Sequence, residues 1–408
     1  MEFFKVLDIA QVLDLRSGFG RVSTEEVPLE EALERVLARE ERAPEDLPPF
    51  ARSTVDGYAL RAASTFGAGE ASPACLALVG NVGMAEVPRI RLGPGQAVRI
   101  ATGGMLPEGA DSVVMIEHTQ LLDEASIEVF RSVAPGQNVI ARGEDFPAGA
   151  VVAPAGRRLR PQDLGALAAF GRLRVTVFRR PVVGILSTGD EIVPATEDPG
   201  PARIRDVNRY SLAGLVRLAG CVPRPLGIVG DRFEALHAAC REALASCDVL
   251  LLSGGSSVGT RDLTVEALQA FADARILVHG IAISPGKPTI LARVGDKAVW
   301  GLPGHVASAM IVFARIVRPF LFSLAGLAPE EEREYRLPAR LTRNLASAQG
   351  RTDFVRVRLD RRGEQWWAEP VLGKSGLIQT LVRSDGLVEI PAFCEGLDAG
   401  APVEVILF

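Results

Sequence analysis

Between residues 180 and 327 the chain alternates short apolar runs with amphipathic ones. PVVGILSTGDEIV (181–193) is a predicted strand that ends in a small, polar loop. DVNRYSLAGLVRLAG (206–220) has helical spacing, and RPLGIVGD (224–231) is a second strand. DRFEALHAACREALASC (231–247) is a helix, with Asp231 as expected N-cap and Glu234 three residues on. DVLLLSGG (248–255) is a third strand, and Asp262 is expected to open the helix LTVEALQAF (263–271). AVWGLPG (298–304) is another strand, followed by HVASAMIVFARIVRPFL (305–321), a helix apolar nearly all round. Such alternation predicts an α/β unit with a largely parallel sheet.

The flanking regions have other rhythms. LEEALERVLAREE (29–41) has the pattern of an acidic amphipathic helix. Three prolines in APEDLPPFARSTVDGYAL (43–60) break it, and residues 44–144, rich in Gly, Val and Pro, predict short strands and turns. PGQNVIARGEDFPAGAVV (135–152) marks a second boundary. LRPQDLGALAAFG (159–171) is a helix with Pro161 in its first turn and Gly171 at its end. From 328 onward RLPARLTRNL, TDFVRVRLD, QWWAEPV, GLVEIPAF and PVEVILF predict a small all-β unit. There are no internal repeats.

The 408 residues suggest two to four domains. No apolar run reaches the roughly eighteen residues of a membrane span. The opening MEFFKVLDIAQVLDL has acids in its apolar stretch and no basic n-region, so no signal peptide is expected. The five cysteines lack metal spacing, and Cys240 and Cys247, seven apart on one predicted helix face, are expected in the core; a reducing cytoplasm fits. A net charge of −5 without a basic tract argues against nucleic acid as partner. The four histidines are scattered, which argues against a zinc enzyme.

In open α/β sheets ligands bind beyond the carboxyl ends of the strands. Two such loops carry suitable chemistry: Ser187-Thr188-Gly189-Asp190-Glu191, and Ser253-Gly254-Gly255-Ser256-Ser257-Val258-Gly259. Glycines let amides approach a ligand, helix N-termini favour negative charge, and hydroxyls add donors; phosphate or another tetrahedral oxyanion suits both. The nearby acids Asp190, Glu191, Asp231 and Asp262 would repel a bare anion and make sense with a bridging divalent metal. Asp231 and Asp262 read equally as helix caps. No Walker pattern and no G-x-G-x-x-G is present. Lys287, between two prolines in ISPGKPTIL, is placed to meet an anion or to be an ordinary exposed lysine. In GLPGHVAS, Gly304 leads into a helix whose Ser308 is a donor or a plain early-helix serine. His305 reads as a polar residue of the first turn rather than a base.

STGDEIV, LLSGGSSVGTRD, SPGKP and GLPG, in this order and spacing, resemble the MoeA / gephyrin E-domain family, the molybdopterin molybdenumtransferases. PPFARSTVDGYAL, VRIATGGMLPEGADSVVMIE, RGEDF and SGLIQTLVRSDGLVEIP fit it too, so the resemblance spans essentially the whole chain. It implies a split elongated linker and dimerisation domain (1–43 and 145–179), an inserted β-rich domain (44–144), a MogA-like α/β molybdopterin-binding domain (180–327) and a C-terminal β-barrel (328–408). It implies a cytoplasmic homodimer whose cleft lies between one subunit's α/β domain and the other's inserted domain. The implied reaction inserts molybdate into adenylylated molybdopterin and releases AMP with Mg²⁺. A MogA-like adenylyltransferase and recipient molybdoenzymes are the implied partners, with no nucleic acid and no membrane. Carried onto matching positions, the site residues are Asp56, Thr102, Asp145, Glu191, Asp231, Asp262, Lys287 and Pro303. On their own residues, Asp56, Thr102 and Asp145 read as a turn acid, a loop cap and a surface acid.

The chain departs from the family pattern in two motifs. Family members commonly read K-P-G-K-P with another basic residue four positions earlier; here Ser284 and Gly280 stand there. L-P-G-N-P is Leu302-Pro303-Gly304-His305-Val306. His279, beside Gly280, replaces one lost charge only when protonated. The alternatives to a molybdate insertase are a tungstate-preferring insertase, and a non-catalytic paralogue that binds the pterin nucleotide or a partner protein.

Overall fold

A computed structural model describes residues 6–254 and 258–408, for 258–262 the backbone alone. The chain divides into two units. One takes the chain up to Arg39, Ala155–Arg160 and Arg174–Phe408; the other takes Glu40–Pro154 and Pro161–Leu173.

The α/β part of the first unit is built from β1 (Val182–Thr188), α1 (Asn208–Leu218), β2 (Val222–Val229), α2 (Phe233–Ser246), β3 (Val249–Gly254), α3 (Val258–Gln269), β4 (Ala274–His279), β5 (Ile290–Val294), β6 (Lys297–Leu302) and a long helix α4 (Val306–Leu324). The sheet order is β2-β1-β3-β6-β5-β4. The pairs β1–β2, β1–β3 and β3–β6 are parallel, while β5 runs antiparallel to β4 and β6. From β1 the chain moves outward to β2, then crosses back to β3 on the other side of β1. That reversal makes a topological switch point, where adjacent connections leave the sheet in opposite directions and open a crevice.

The core explains the apolar helix α4. Its Ala309, Ile311, Val312, Phe313, Ile316, Val317, Phe320 and Leu321 pack with Val183, Ile185, Leu251 and Trp300 of the sheet. By length and composition this helix is long and apolar enough to cross a membrane, but most of it is buried inside the unit. Its middle, Phe313–Val317, is a π-helical segment just before Pro319, whose missing N–H removes a normal rung from the ladder. Cys240 and Cys247 are both buried, as expected, and burial pushes the Cys240 thiol up to about 12. Cys247 lies past the end of α2 in extended backbone, so the two do not share a helix face.

The C-terminal strands Arg336–Leu341, Thr352–Arg362, Gln365–Pro370, Gly386–Ile390 and Pro402–Leu407 close into a barrel, since Thr352–Arg362 pairs with both Gln365–Pro370 and Gly386–Ile390. Ile283–Ser284 adds one short parallel strand beside Thr352 and Asp353.

Three further expectations need correction. Residues 29–41 form no amphipathic helix: Leu29–Glu31 is one 3-10 turn, and the chain then runs irregularly. Backbone pairing elsewhere wins, with Glu34 N–H donating to Leu159 O, Leu37 N–H to Arg157 O and Ala38 N–H to Thr176 O. Ala32, Val36 and Leu37 are buried all the same, so helix-like spacing serves a non-helical path. Next, α2 is capped by Arg232 without a side-chain bond, so Asp231 is not its cap. Finally, α3 begins at Val258, before Asp262.

In the second unit a six-stranded sheet contains Gly57–Leu60, Ala74–Val82, Gln96–Ile100, Ser112–Met115, Thr119–Asp123 and Ser126–Val129. Tyr58 and Leu60 enter one apolar cluster and Ala59 the opposite one, as strand alternation requires of a sheet covered on both faces. The helix Pro161–Ala169 forms where its signals place it.

Candidate active site

At the ends of β1 and β3, where the switch point lies, the two backbones approach closely. Thr188 and Gly254 are partners in register, and a β-carbon on Gly254 would stand 1.8 Å from Thr188 O. Only glycine permits this contact. Ser187, Thr188 and Ser253 are all buried. Ser187 Oγ donates to Asp206 Oδ2 at 2.6 Å, and Asp206 Oδ1 accepts the Arg209 N–H at 3.1 Å at the start of α1. Asn208 Nδ2 lies 2.8 Å from both Ser253 Oγ and Gly304 O, tying β3 to the loop after β6. The Ser253 hydroxyl accepts this bond and keeps its own proton to donate. Gly255, Ser256 and Ser257 lie outside the described residues; Gly259 is in the first turn of α3.

Three carboxylates gather beside β1. The Glu191 carboxylate lies over Gly189, with Oε2 2.6 Å from where a β-carbon would be. Asp190 Oδ1 accepts the Asp231 N–H at 3.1 Å. Burial pushes the Asp231 carboxyl above its ordinary range, and the charges of Asp190 and Glu191 push the same way. Hard oxygen donors in mutual repulsion fit a divalent cation such as Mg²⁺. Among the described residues, however, no group of three or more His, Cys, Asp or Glu side chains is close enough to hold a metal ion, and the Asp262 side chain lies outside them.

Lys287 is exposed, with no ion pair among the described residues, and its carbonyl accepts the Ile281 N–H at 2.9 Å. Gly286 seats this loop on α4, where an added β-carbon would stand 2.3 Å from Val312 Cγ2. Pro303 and Ser308 are buried. Gly280 has φ +108°, a region that L-residues rarely adopt, so the backbone itself disfavours a lysine there. Sequence reasoning missed Arg356. It is buried, with Nη1 3.0 Å from Thr380 Oγ1 and Nη2 2.8 Å from Gly373 O. No carboxylate pairs with it among the described residues, and burial pushes its guanidinium pKa down.

In the second unit Asp56 and Thr102, 46 residues apart, meet. Asp56 Oδ1 accepts the Thr102 N–H at 2.7 Å and the Thr102 Oγ1–H at 2.9 Å. The Thr102 amide, then its hydroxyl, holds the Asp56 carboxyl below its ordinary range, and Oδ2 has no hydrogen-bond partner among the described residues. Asp145 sits exposed on a turn whose Arg142 and Ala148 both bind Asp46, another residue with no signal in the sequence.

Three family models together span nearly the whole chain. Residues 6–171 match the MoeA N-terminal region (domain I and II), 184–323 a probable molybdopterin binding domain, and 338–408 the MoeA C-terminal region (domain IV). The molybdopterin molybdenumtransferase of Bacillus subtilis is 34% identical over 94% of this chain and 90% of its own length. The chain belongs to the MoeA family. A putative molybdopterin biosynthesis protein of Methanocaldococcus jannaschii is 37% identical over 94% of this chain and 92% of its own. A MoeA crystal structure from Pyrococcus horikoshii superposes with a TM-score of 0.85 at 32% identity, covering 99% of this chain and all of that one. MoeA membership accounts for the order of the elements from the inserted strands to the barrel.

Proposed function

We propose that this MoeA-family protein is a molybdopterin molybdenumtransferase of molybdenum cofactor biosynthesis. It inserts molybdate into adenylylated molybdopterin and releases AMP with Mg²⁺, as a cytoplasmic homodimer of four-domain subunits. The observation that carries the reading is the gathering of Asp190, Glu191 and Asp231 at the switch point, where burial first and then the charges of Asp190 and Glu191 push the Asp231 carboxyl up, beside the glycine- and serine-bearing ends of β1 and β3. Phosphate oxygens suit the amides and hydroxyls of Ser187–Gly189 and Ser253–Gly259. Asp190, Glu191, Asp231 and Asp262 would hold Mg²⁺, which neutralises charge as the phosphoanhydride opens. Lys287 and the buried Arg356 supply positive potential for the oxyanion. In the second unit, the free oxygen of Asp56 serves as a ligand acceptor on a carboxylate fixed by Thr102.

The test is AMP release from adenylylated molybdopterin by the purified protein with Mg²⁺, titrating molybdate and tungstate in parallel. Oxyanion-dependent release supports the reading, and the half-saturating concentrations say which oxyanion is preferred. Tight nucleotide binding without release under either anion favours the non-catalytic paralogue, a reading motivated by the absent lysines at Gly280 and Ser284.

A further inference from the structure

His305 stands where the family pattern has asparagine, directly before α4. Its ring is held from one side. Ser375 Oγ lies 2.8 Å from Nδ1, and the Ser375 carbonyl accepts the Ala307 N–H at 3.0 Å. Gly376 lies against the ring, close enough that an added β-carbon would stand 3.5 Å from Cδ2. The side chain is exposed, and Nε2 has no hydrogen-bond partner among the described residues. The Ser284–Lys287 loop packs on the same end of α4, with Ser308 O 3.8 Å from an added Gly286 β-carbon.

An oxyanion offers only lone pairs, so it selects the imidazole tautomer with the proton on Nε2. The Ser375 hydroxyl serves that tautomer by donating to Nδ1. Were the ring protonated, Nε2 would still donate. We infer that His305 Nε2 is a direct hydrogen-bond donor to the bound oxyanion, and that Ser375 is the positioning residue that fixes its tautomer. The inference rests on the insertase reading and assigns a specificity-determining contact that belongs to this chain's own departure from the pattern.

Two conservative variants separate this from a purely structural role. Glutamine places an N–H near the position of Nε2, whereas asparagine reaches only the position of Nδ1 and preserves the Ser375 contact. The full-length protein is measured for molybdate affinity by equilibrium dialysis, and for its molybdate KM and kcat in AMP release. His305→Asn should weaken molybdate by about tenfold, the scale of one hydrogen bond to a charged group, with kcat nearly unchanged. His305→Gln should stay within about threefold of wild type in both measurements. Ser375→Ala should raise KM without lowering kcat, and Ser375→Thr should restore it. Adding Ser284→Lys to His305→Asn should recover affinity. Wild-type affinity in His305→Asn, or equal loss in Asn and Gln variants, would overturn the assignment. Wild-type AMP release reports separately on the insertase reading, and dialysis tests His305 whether or not turnover is seen.

Discussion

Asp56 and Asp231 carry the same side chain and are shifted in opposite directions. Asp56 receives two hydrogen bonds from Thr102 and is held below the ordinary carboxylate range. Asp231 is partly buried beside Asp190 and Glu191 and is pushed above it. One carboxylate is fully prepared by its own unit. The other is left at odds with its neighbours, a repulsion that the Mg²⁺ of the proposed function would relieve. Carboxylates perturbed in this way cluster at functional sites.

The largest expected effect comes from removing the repulsion. Asp231→Asn should lower AMP release on the order of 100-fold, the scale of one electrostatic contact at a reacting centre. The same variant should raise the melting temperature of the Mg²⁺-free protein. The sign follows from linkage: a carboxyl with a raised folded pKa contributes stability fully below its unfolded pKa and loses it as pH rises through the folded one. The gain in melting temperature should therefore be present near neutral pH and vanish below about pH 4, where the unfolded carboxyl is also protonated. A variant that melts lower at neutral pH would contradict the shift at Asp231.

A third aspartate, tied to an arginine and a backbone amide, sharpens the comparison. Asp248 takes Arg179 through both carboxylate oxygens and accepts the Val182 N–H at 2.8 Å at the start of β1. Burial pushes its carboxyl up, but these bonds outweigh burial and hold it below the ordinary range. Asp248→Ala should cost about 2 kcal/mol, between the values for exposed and buried pairs, in urea unfolding. AMP release per folded molecule should not change.

Asp56→Asn keeps an acceptor for the Thr102 N–H and loses the charge. Its melting temperature should move little, while AMP release should fall by about tenfold or more. If the fall is due to lost positioning, Thr102→Val should reproduce it and Thr102→Ser should not. The smallest effects concern the absent lysines. Gly280→Lys should destabilise by about 1 kcal/mol, because its backbone is in the region that costs an L-residue, and should not tighten molybdate. Ser284→Lys, in ordinary strand backbone, should leave melting unchanged and tighten molybdate.

The contrast also bears on what could be read from the chain. The strands and helices between 182 and 324 were legible because alternating apolar runs and helical spacing are local signals, and the sheet order then locates the crevice. Residues 29–41 misled because burial of Ala32, Val36 and Leu37 needs only their spacing, while long-range backbone pairs decide the path. Asp231 was misread as a cap because sequence shows an acid before a helix but not that the helix starts after an extended Arg232. The partners Thr102 of Asp56, Asp46 of the Asp145 turn and Ser375 of His305 had no local signal, since tertiary folding alone brings them together. Family resemblance supplied Asp56, Thr102 and Asp145 where residue chemistry did not.

The central claim is tested most directly by stoichiometry. Adenylylated molybdopterin, Mg²⁺ and limiting molybdate are incubated with the protein, and AMP and pterin-bound molybdenum are measured in the same sample. An insertase gives one AMP for each molybdenum bound, and no AMP above background without oxyanion. AMP released at the same rate without molybdate, or molybdenum bound without AMP, would contradict it.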